Sequence, residues 1–287
     1  MIENNLQPTY RRQRFLLSFI RQIKDGVTST DLQKLVFLYE MKNKEYYNFI
    51  PYKFGSYSFQ LAEDIDILRR DGYLSMENLR IQAMGDYPHE SLLSIATERG
   101  DKLIRKTYRE YPYYAINSEI TNRLFNKKEA EKFHYEKQNY TKTDELLFTI
   151  GYEGKSIESF MNALIQNGVR LICDVRKNPL SRKFGFSKNK LKHISETIGI
   201  QYIHVPDLGI DSDKRSSLET TEDYQCLFKE YKRTLPTHKA ILEQVYSLLR
   251  SNGRITLMCY EQDPEMCHRH VIRDYLSNIY GVRSEDL

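Results

Sequence analysis

Residues 146–176, LLFTIGYEGKSIESFMNALIQNGVRLICDVR, decide the fold of the second half of this 287-residue chain. LLFTIGY is an apolar run of strand length, residues 156–166 carry apolar side chains at helical spacing, and VRLICDVR is a second strand-like run. A strand, a helix and a strand in this order require a parallel sheet with a right-handed crossover. The stretch therefore predicts an α/β domain.

The rest of the second half extends this pattern. QYIHVPDLG (201–209) and RITLMCYE (254–261) predict two more strands, and helices are predicted over 223–232, 238–252 and 264–276. Residues 139–287 are therefore expected to form an α/β domain with an open, mostly parallel sheet.

The first half is predicted to be mostly helical. Apolar residues at helical spacing predict helices over 11–23, 31–41, 59–70 and 118–134, and short strands are expected at 73–74, 79–83 and 91–95. Helices followed by a short hairpin favour an α+β, winged-helix-like domain over residues 1–138. Residues 135–145 contain no aliphatic side chain and are the predicted linker.

The composition is that of a globular protein, with 40% hydrophobic and 29% charged residues. No apolar run reaches the roughly 18–20 residues of a membrane span, and the first residues do not resemble a signal peptide. We therefore expect a cytoplasmic protein without a membrane partner. The four cysteines are too few for a disulfide framework, and the net charge of +4 only weakly favours an anionic partner.

Polar side chains follow every predicted strand of the second half. In open α/β sheets ligands bind beyond the carboxyl ends of the strands, so these side chains mark the expected site. The segment between Arg170 and Lys192, called the basic segment below, holds eight Lys or Arg and one acid, a net charge of +7. Phe184 and Phe186 lie among these cations, a pattern that suits stacked bases beside a phosphate backbone. The alternative is an ordinary solvated surface loop.

The sequence CYEQDPEMCHRH (259–270) is the second candidate. Asp263 and Pro264 predict a helix start that places Cys267 near the first turn, where the helix dipole would lower a thiol pKa. Glu261 lies just beyond the strand as a candidate general acid or base. Zinc ligands are available in Cys259, Cys267, His268 and His270. No CxxC pair occurs and the spacing matches no common zinc motif, so neither a metal nor another cofactor is predicted, and both cysteines could simply pack in the core.

Four ordered blocks of the second half carry a family resemblance: TIGYEGKSIESF, CDVRKNPLSRKFGFSK, IQYIHVPDLG and LMCYEQDPEMCHRHVI. Together they resemble the bacterial domain-of-unknown-function family 488, the YeaO-like family. The resemblance implies no activity. It points to the residues Asp174, Arg176, Pro179, Ser181, Leu208, Gly209, Cys259, Glu261, Cys267, His268 and Arg269.

The first half is similar to the Panacea, or SocA-like, antitoxin domain in LQKLVFLYE, PYKFGSYS and ILRRDGYL. This similarity implies a recognition or neutralising module with a protein partner. A plain helical accessory domain is the alternative.

These observations favour an enzyme that acts on a nucleic acid, DNA above all, or on a nucleotide. Base excision, in a setting such as phage defence, fits the available groups and would require the target base to be flipped out. The expected catalytic residues are Glu261 and Asp174 as acid and base, with Cys259 and Cys267 as candidate thiols. The expected phosphate contacts are Arg176, Ser181, Arg182, His268 and Arg269, and the expected base-stacking residues are Tyr152, Phe184 and Phe186.

Two other functions are consistent with the sequence. One is an antitoxin-like or nucleic-acid-binding regulator without catalysis. The other is rhodanese-like sulfur transfer, although Cys259 and Arg269 lie ten residues apart, too far for the cradle of that family. GxGxxG and GxxxxGK[ST] loops are absent, which argues against ATP hydrolysis.

Overall fold

Two units make up the chain, Met1–Gln138 and Asn139–Leu287, in a computed structural model that describes residues 7–85, 95–215, 218 and 220–287. The strand expected at 91–95 lies outside the described residues except for its last position. No helix within these ranges combines the length and the apolar character needed to cross a membrane.

The N-terminal unit mixes helices and strands. Its helices are α1 (Arg11–Arg21), α2 (Ser29–Asn43), α3 (Phe59–Arg70), α4 (Gly100–Glu110), α5 (Thr121–Leu124) and α6 (Lys127–Gln138). Its strands are β1 (Val27–Thr28), β2 (Ile50–Tyr52), β3 (Gly55–Tyr57), β4 (Leu74–Glu77) and β5 (Arg80–Ala83). The sheet β1-β5-β4 is antiparallel, and β2 and β3 form a separate hairpin.

Local caps set several of these boundaries. The Thr28 hydroxyl accepts the Asp31 N–H at 3.1 Å at the start of α2, and Ser58 does the same for Leu61 at the start of α3. The prediction of one helix over 118–134 is wrong. Phe125 is extended and the Asn126 side chain caps a new helix by accepting the Glu129 N–H at 3.0 Å.

Asp64 and Lys34 are among the ionisable side chains that are buried in the N-terminal unit. Asp64 accepts hydrogen bonds from Arg12 Nε at 2.6 Å, Gln13 Nε2 at 3.0 Å and the Tyr47 hydroxyl at 3.0 Å. Lys34 donates to the Ser56 carbonyl at 2.6 Å, and burial lowers its pKa to about 7. The lysine therefore titrates near neutral pH.

The C-terminal unit is built on a five-stranded sheet. Its strands are β6 (Leu146–Gly151), β7 (Leu171–Asp174), β8 (Gln201–His204), β9 (Arg254–Cys259) and β10 (Ser284–Asp286). Its helices are α7 (Ile157–Gln166), α8 (Lys188–Thr197), α9 (Thr221–Thr234), α10 (Lys239–Asn252) and α11 (Arg269–Tyr280). The strand order is β10-β6-β9-β7-β8 and all pairings are parallel, which confirms the predicted parallel sheet.

The central strands position the site. β6 and β9 are buried at every residue, as expected for strands covered on both faces. Because the five strands run in one direction, their carboxyl ends, at Gly151, Asp174, His204, Cys259 and Asp286, lie along one edge of the sheet. The loops that leave this edge hold most of the candidate residues.

Candidate functional site

The loops after β6, β7 and β9 are in direct contact. The Glu153 N–H donates to the Tyr260 carbonyl at 2.9 Å, and Lys183 Nζ donates to the Tyr152 carbonyl at 3.1 Å. A Cβ atom at Gly151 would lie 1.7 Å from the Glu261 carbonyl oxygen. The absence of a side chain at Gly151 therefore allows the loop after β9 to reach its position.

Asp174 and Arg176 form a buried ion pair at the end of β7. Arg176 Nε donates to Asp174 Oδ1 at 2.8 Å and Nη2 donates to Oδ2 at 2.6 Å. Oδ1 also accepts the Arg176 N–H and Oδ2 accepts the Tyr202 hydroxyl at 2.6 Å. Burial and the Asp174 carboxylate raise the pKa of Tyr202, so its proton stays in this bond.

This pair does not fit the roles expected for it. The third guanidinium nitrogen, Arg176 Nη1, donates to the Tyr152 hydroxyl at 3.2 Å and to the Phe186 carbonyl at 2.9 Å. Asp174 is fully buried with both oxygens occupied. The pair holds the loops after β6 and β7 together, and the expected phosphate clamp and acid/base roles are corrected to this structural one. Tyr202 is its third member and has no sequence signal, because an isolated tyrosine on a strand matches no motif.

The aromatic residues expected to stack on bases are mostly closed to a ligand. Tyr152 and Phe186 are buried and stack on each other, with ring centroids 4.4 Å apart. Phe184 is half-buried beneath Lys190, whose Nζ lies 5.1 Å from its ring centre. Tyr260, which no sequence motif marks, is 45% exposed, so its ring is open to a ligand at this edge.

The basic segment is less uniform than its net charge suggests. Arg170 precedes β7, at the opposite edge of the sheet, and Arg176 is neutralised by Asp174. Lys177 lies 3.6 Å from Asp211. Arg182 is exposed, and the adjacent Ser181 hydroxyl accepts the Lys183 N–H at 3.2 Å within the loop.

Three cations surround the end of β6, and we call Lys155, Lys183 and Arg269 the cation cluster. Burial, followed by the charge of Arg269, lowers the pKa of Lys155. Burial lowers the pKa of Lys183, and Lys155 adds to that effect while Glu153 opposes it. Cations that lower one another's pKa values favour the binding of an anion.

Arg269 contributes only its positive charge to this cluster, because its side chain is buried and bonded to protein groups. Its guanidinium is 1% exposed and donates to Thr149 Oγ1 at 3.0 Å, to the Glu261 carbonyl at 2.6 Å and to the Gln262 carbonyl at 3.0 Å. These bonds fix the backbone of the loop after β9. The expectation that Arg269 contacts phosphate directly is therefore corrected to a role in positioning Glu261.

The predicted helix start at Pro264 is also corrected. Pro264–Met266 forms a single 3₁₀ turn, with Asp263 Oδ1 accepting the Glu265 N–H at 2.9 Å, and α11 begins at Arg269. Cys267 therefore precedes the helix and is buried. Burial raises the pKa of the Cys267 thiol, the opposite of the lowering expected from a helix N-terminus.

Cys259, Cys267 and His268 meet beside Glu261, and we call these three residues the thiol–imidazole cluster. His268 Nδ1 lies 3.9 Å from each sulfur, and the three potential ligand atoms are all within 4.8 Å of one another. The Cys259 thiol is 3.5 Å from Glu261 Oε2. His268 Nε2 lies 3.1 Å from the Val175 carbonyl, so it does not face a phosphate. The convergence brings together three of the four possible zinc ligands named from the sequence, although their spacing matches no common zinc motif.

The comparisons with known proteins found a match in the second unit. No curated protein and no solved structure shows a significant match to this chain. The similarity of the first half to the Panacea domain therefore stays a prediction. Residues 156–276 match the family model described as Domain of unknown function DUF488, which confirms the resemblance found in the second half.

Proposed function

We propose that the C-terminal unit is a hydrolytic enzyme that acts on a nucleic acid or nucleotide and cleaves an N-glycosidic bond. The observation that carries the proposal is the position of Glu261. This half-buried carboxylate lies where the loops after β6 and β9 meet, on a backbone held by Gly151 and Arg269. A carboxylate in such a place can protonate a leaving group, activate water or stabilise an oxocarbenium-like transition state.

The cation cluster supports a phosphate-bearing substrate. Burial lowers the pKa values of Lys155 and Lys183, and a neighbouring cation adds to each shift, Arg269 for Lys155 and Lys155 for Lys183. An anion bound beside these lysines would therefore be stabilised. Exposed Arg182 adds a contact from the same loop, and Tyr260 offers a ring for a base. These groups replace the buried Arg176, Tyr152 and Phe186 in the proposed binding surface.

The N-terminal unit serves recognition in this proposal. Its helices with the antiparallel sheet β1-β5-β4 are compatible with a winged-helix-like reader of DNA or with an antitoxin-like module that binds a protein. Sulfur transfer is supported less well, because Cys259 and Cys267 are each 1% exposed and a nucleophilic thiolate needs access to its substrate.

The test is turnover of the full chain on a panel of modified and unmodified DNA, RNA and nucleotides. Glu261→Gln should lower turnover by at least about 100-fold because it removes the titratable oxygen, while binding stays within about twofold. Glu265→Gln, four residues away and exposed, is the matched control and should keep full turnover. Full activity of Glu261→Gln would overturn the assignment, and binding without turnover on every substrate would favour a regulator.

A further inference from the structure

We propose that the thiol–imidazole cluster is a zinc site in which Cys259, Cys267 and His268 bind the ion and Glu261 lies beside the fourth position. The ligand atoms of a tetrahedral zinc ion with two sulfurs and one nitrogen are about 3.5–3.8 Å apart, given the usual bond lengths. In this structure His268 Nδ1 lies 3.9 Å from both sulfurs. The three side chains thus stand close to a coordinating arrangement.

The hydrogen bond on the far side of the imidazole prepares His268 for this role. A carbonyl oxygen only accepts, so the Val175 carbonyl at 3.1 Å holds the ring hydrogen on Nε2. Nδ1 of the neutral ring then carries a lone pair directed at the two thiols. Metal-binding histidines commonly donate their other N–H to a backbone carbonyl in this way, which fixes both the tautomer and the ring orientation.

The donor set selects the kind of metal. Two thiols and an imidazole favour zinc over the hard cations magnesium and calcium, which prefer oxygen ligands. On binding, each thiol releases one proton, and two thiolates with a divalent ion and a neutral imidazole carry no net charge. Such a neutral site suits a location where the three residues are 0–1% exposed, because an isolated charge there would be costly.

The surroundings hold the ligands on rigid elements. Cys259 ends the central strand β9, and Cys267 and His268 stand between the 3₁₀ turn Pro264–Met266 and α11. Catalytic zinc sites, unlike structural ones, have three protein ligands and a fourth position that is left open. Here a carboxylate lies beside that position. Glu261 Oε2, 3.5 Å from Cys259 Sγ, lies beside that position and could orient a water molecule there. The site goes beyond the proposed function and rests on its own geometry.

The experiment measures metal in the full-length protein, so it does not depend on any substrate. After incubation with zinc sulfate and removal of loosely bound ions, elemental analysis should find one zinc per chain, bound with the release of two protons. X-ray absorption should show two sulfurs at about 2.3 Å and at least one nitrogen or oxygen at about 2.0–2.2 Å. Cobalt(II) in place of zinc should give sulfur-to-metal charge-transfer bands. A sulfur-free metal shell, or no retained zinc, would overturn the proposal.

Variants separate this site from other thiols. Cys267→Ser and His268→Ala should weaken zinc binding by at least about 100-fold, while Cys173→Ser, a buried cysteine on β7, and Cys226→Ser, an exposed one, should bind as wild type. Circular dichroism establishes which variants fold. If the ligand variants do not fold, the X-ray absorption spectrum of the zinc-loaded wild type decides whether sulfur binds the metal. Zinc bound equally well by folded Cys267→Ser would also refute the site. Failure of the base-excision proposal leaves these readouts unchanged.

Discussion

Arg176 binds both carboxylate oxygens of Asp174 in a buried pair, and the Tyr202 hydroxyl completes the arrangement from the neighbouring strand. Asp174→Asn should therefore lower the free energy of unfolding by about 3–5 kcal/mol, because it leaves the Arg176 guanidinium buried without its counter-ion. The chain contains no tryptophan, so a Tyr275→Trp substitution on α11 provides a fluorescence signal for the C-terminal unit in urea titrations.

Two variants with smaller expected costs provide the comparison. Tyr202→Phe removes one hydrogen bond to a charged group and should cost about 1.5–3 kcal/mol. Glu196→Gln breaks the exposed pair with Lys192, whose charged atoms are 3.9 Å apart, and should cost less than about 0.5 kcal/mol. An Asp174→Asn protein as stable as Glu196→Gln would show that the buried pair does not stabilise the loops.

Gly151→Ala should impair turnover without touching a titratable group. The new methyl group would lie 1.7 Å from the Glu261 carbonyl oxygen, so the loop after β9 must move. We expect turnover to fall by at least about tenfold, since small displacements of a catalytic group have large effects. Gly199→Ala is the control: nothing lies within 4 Å of its added Cβ, and the cost there is confined to backbone strain at φ +83°. Equal turnover in the two variants would contradict the positioning role of Gly151.

The stability of the N-terminal unit should rise with pH above neutrality because of Lys34. Its folded pKa of about 7 lies below the ordinary value of 10.5, so between these values the unfolded chain binds more protons than the folded one. Raising the pH from 7 to 9 should therefore increase the free energy of unfolding by about 2 kcal/mol, and the gain should vanish below about pH 6.

The comparison with Lys34→Met isolates this effect. The apolar side chain keeps the volume but cannot titrate, so the difference between wild type and variant should shrink as the pH rises. Urea titrations of both proteins in a Tyr39→Trp background report on α2, which carries Lys34. A difference that is constant from pH 6 to 9 would show that Lys34 is not neutralised on folding.

Most strands of the five-stranded sheet can be predicted from the sequence, because they are continuous apolar runs between turn signals. The edge strand β10 and helix α8 have weak sequence signals: β10 has only three residues, and α8 buries Leu191, Ile194 and Ser195 in a polar run that includes three lysines. The hairpin of β2 and β3 is not predictable from the sequence, since three-residue strands show too little alternation to identify.

The sequence predicts where the candidate site lies, but not which side chains contact one another there. The topology rule located Glu261, Asp174 and the cysteines at one edge, whereas burial decided their roles. A sequence does not show that the Asp174 carboxylate pairs with Arg176, two residues away. Nor does it show that His268 contacts two sulfurs that lie eight residues apart in the chain. Such choices depend on the depth of each loop below the surface.

The distinction between exposed and buried cations leads to a test of nucleic-acid binding. Arg182 is exposed on the loop after β7, whereas Arg269 is 1% exposed and donates to Thr149 and to two backbone carbonyls. Arg182→Gln should weaken binding to a nucleic acid and reduce the slope of log K against log salt concentration by about 0.7–0.9, the contribution of one phosphate contact.

Lys239→Gln is the control: it removes an exposed cation on α10 and should leave the slope unchanged. Arg269→Gln should leave the slope intact while it disturbs the Glu261 loop and lowers turnover. A slope that falls equally in the Arg182 and Lys239 variants would mean that binding follows the net charge of the protein rather than this edge of the sheet.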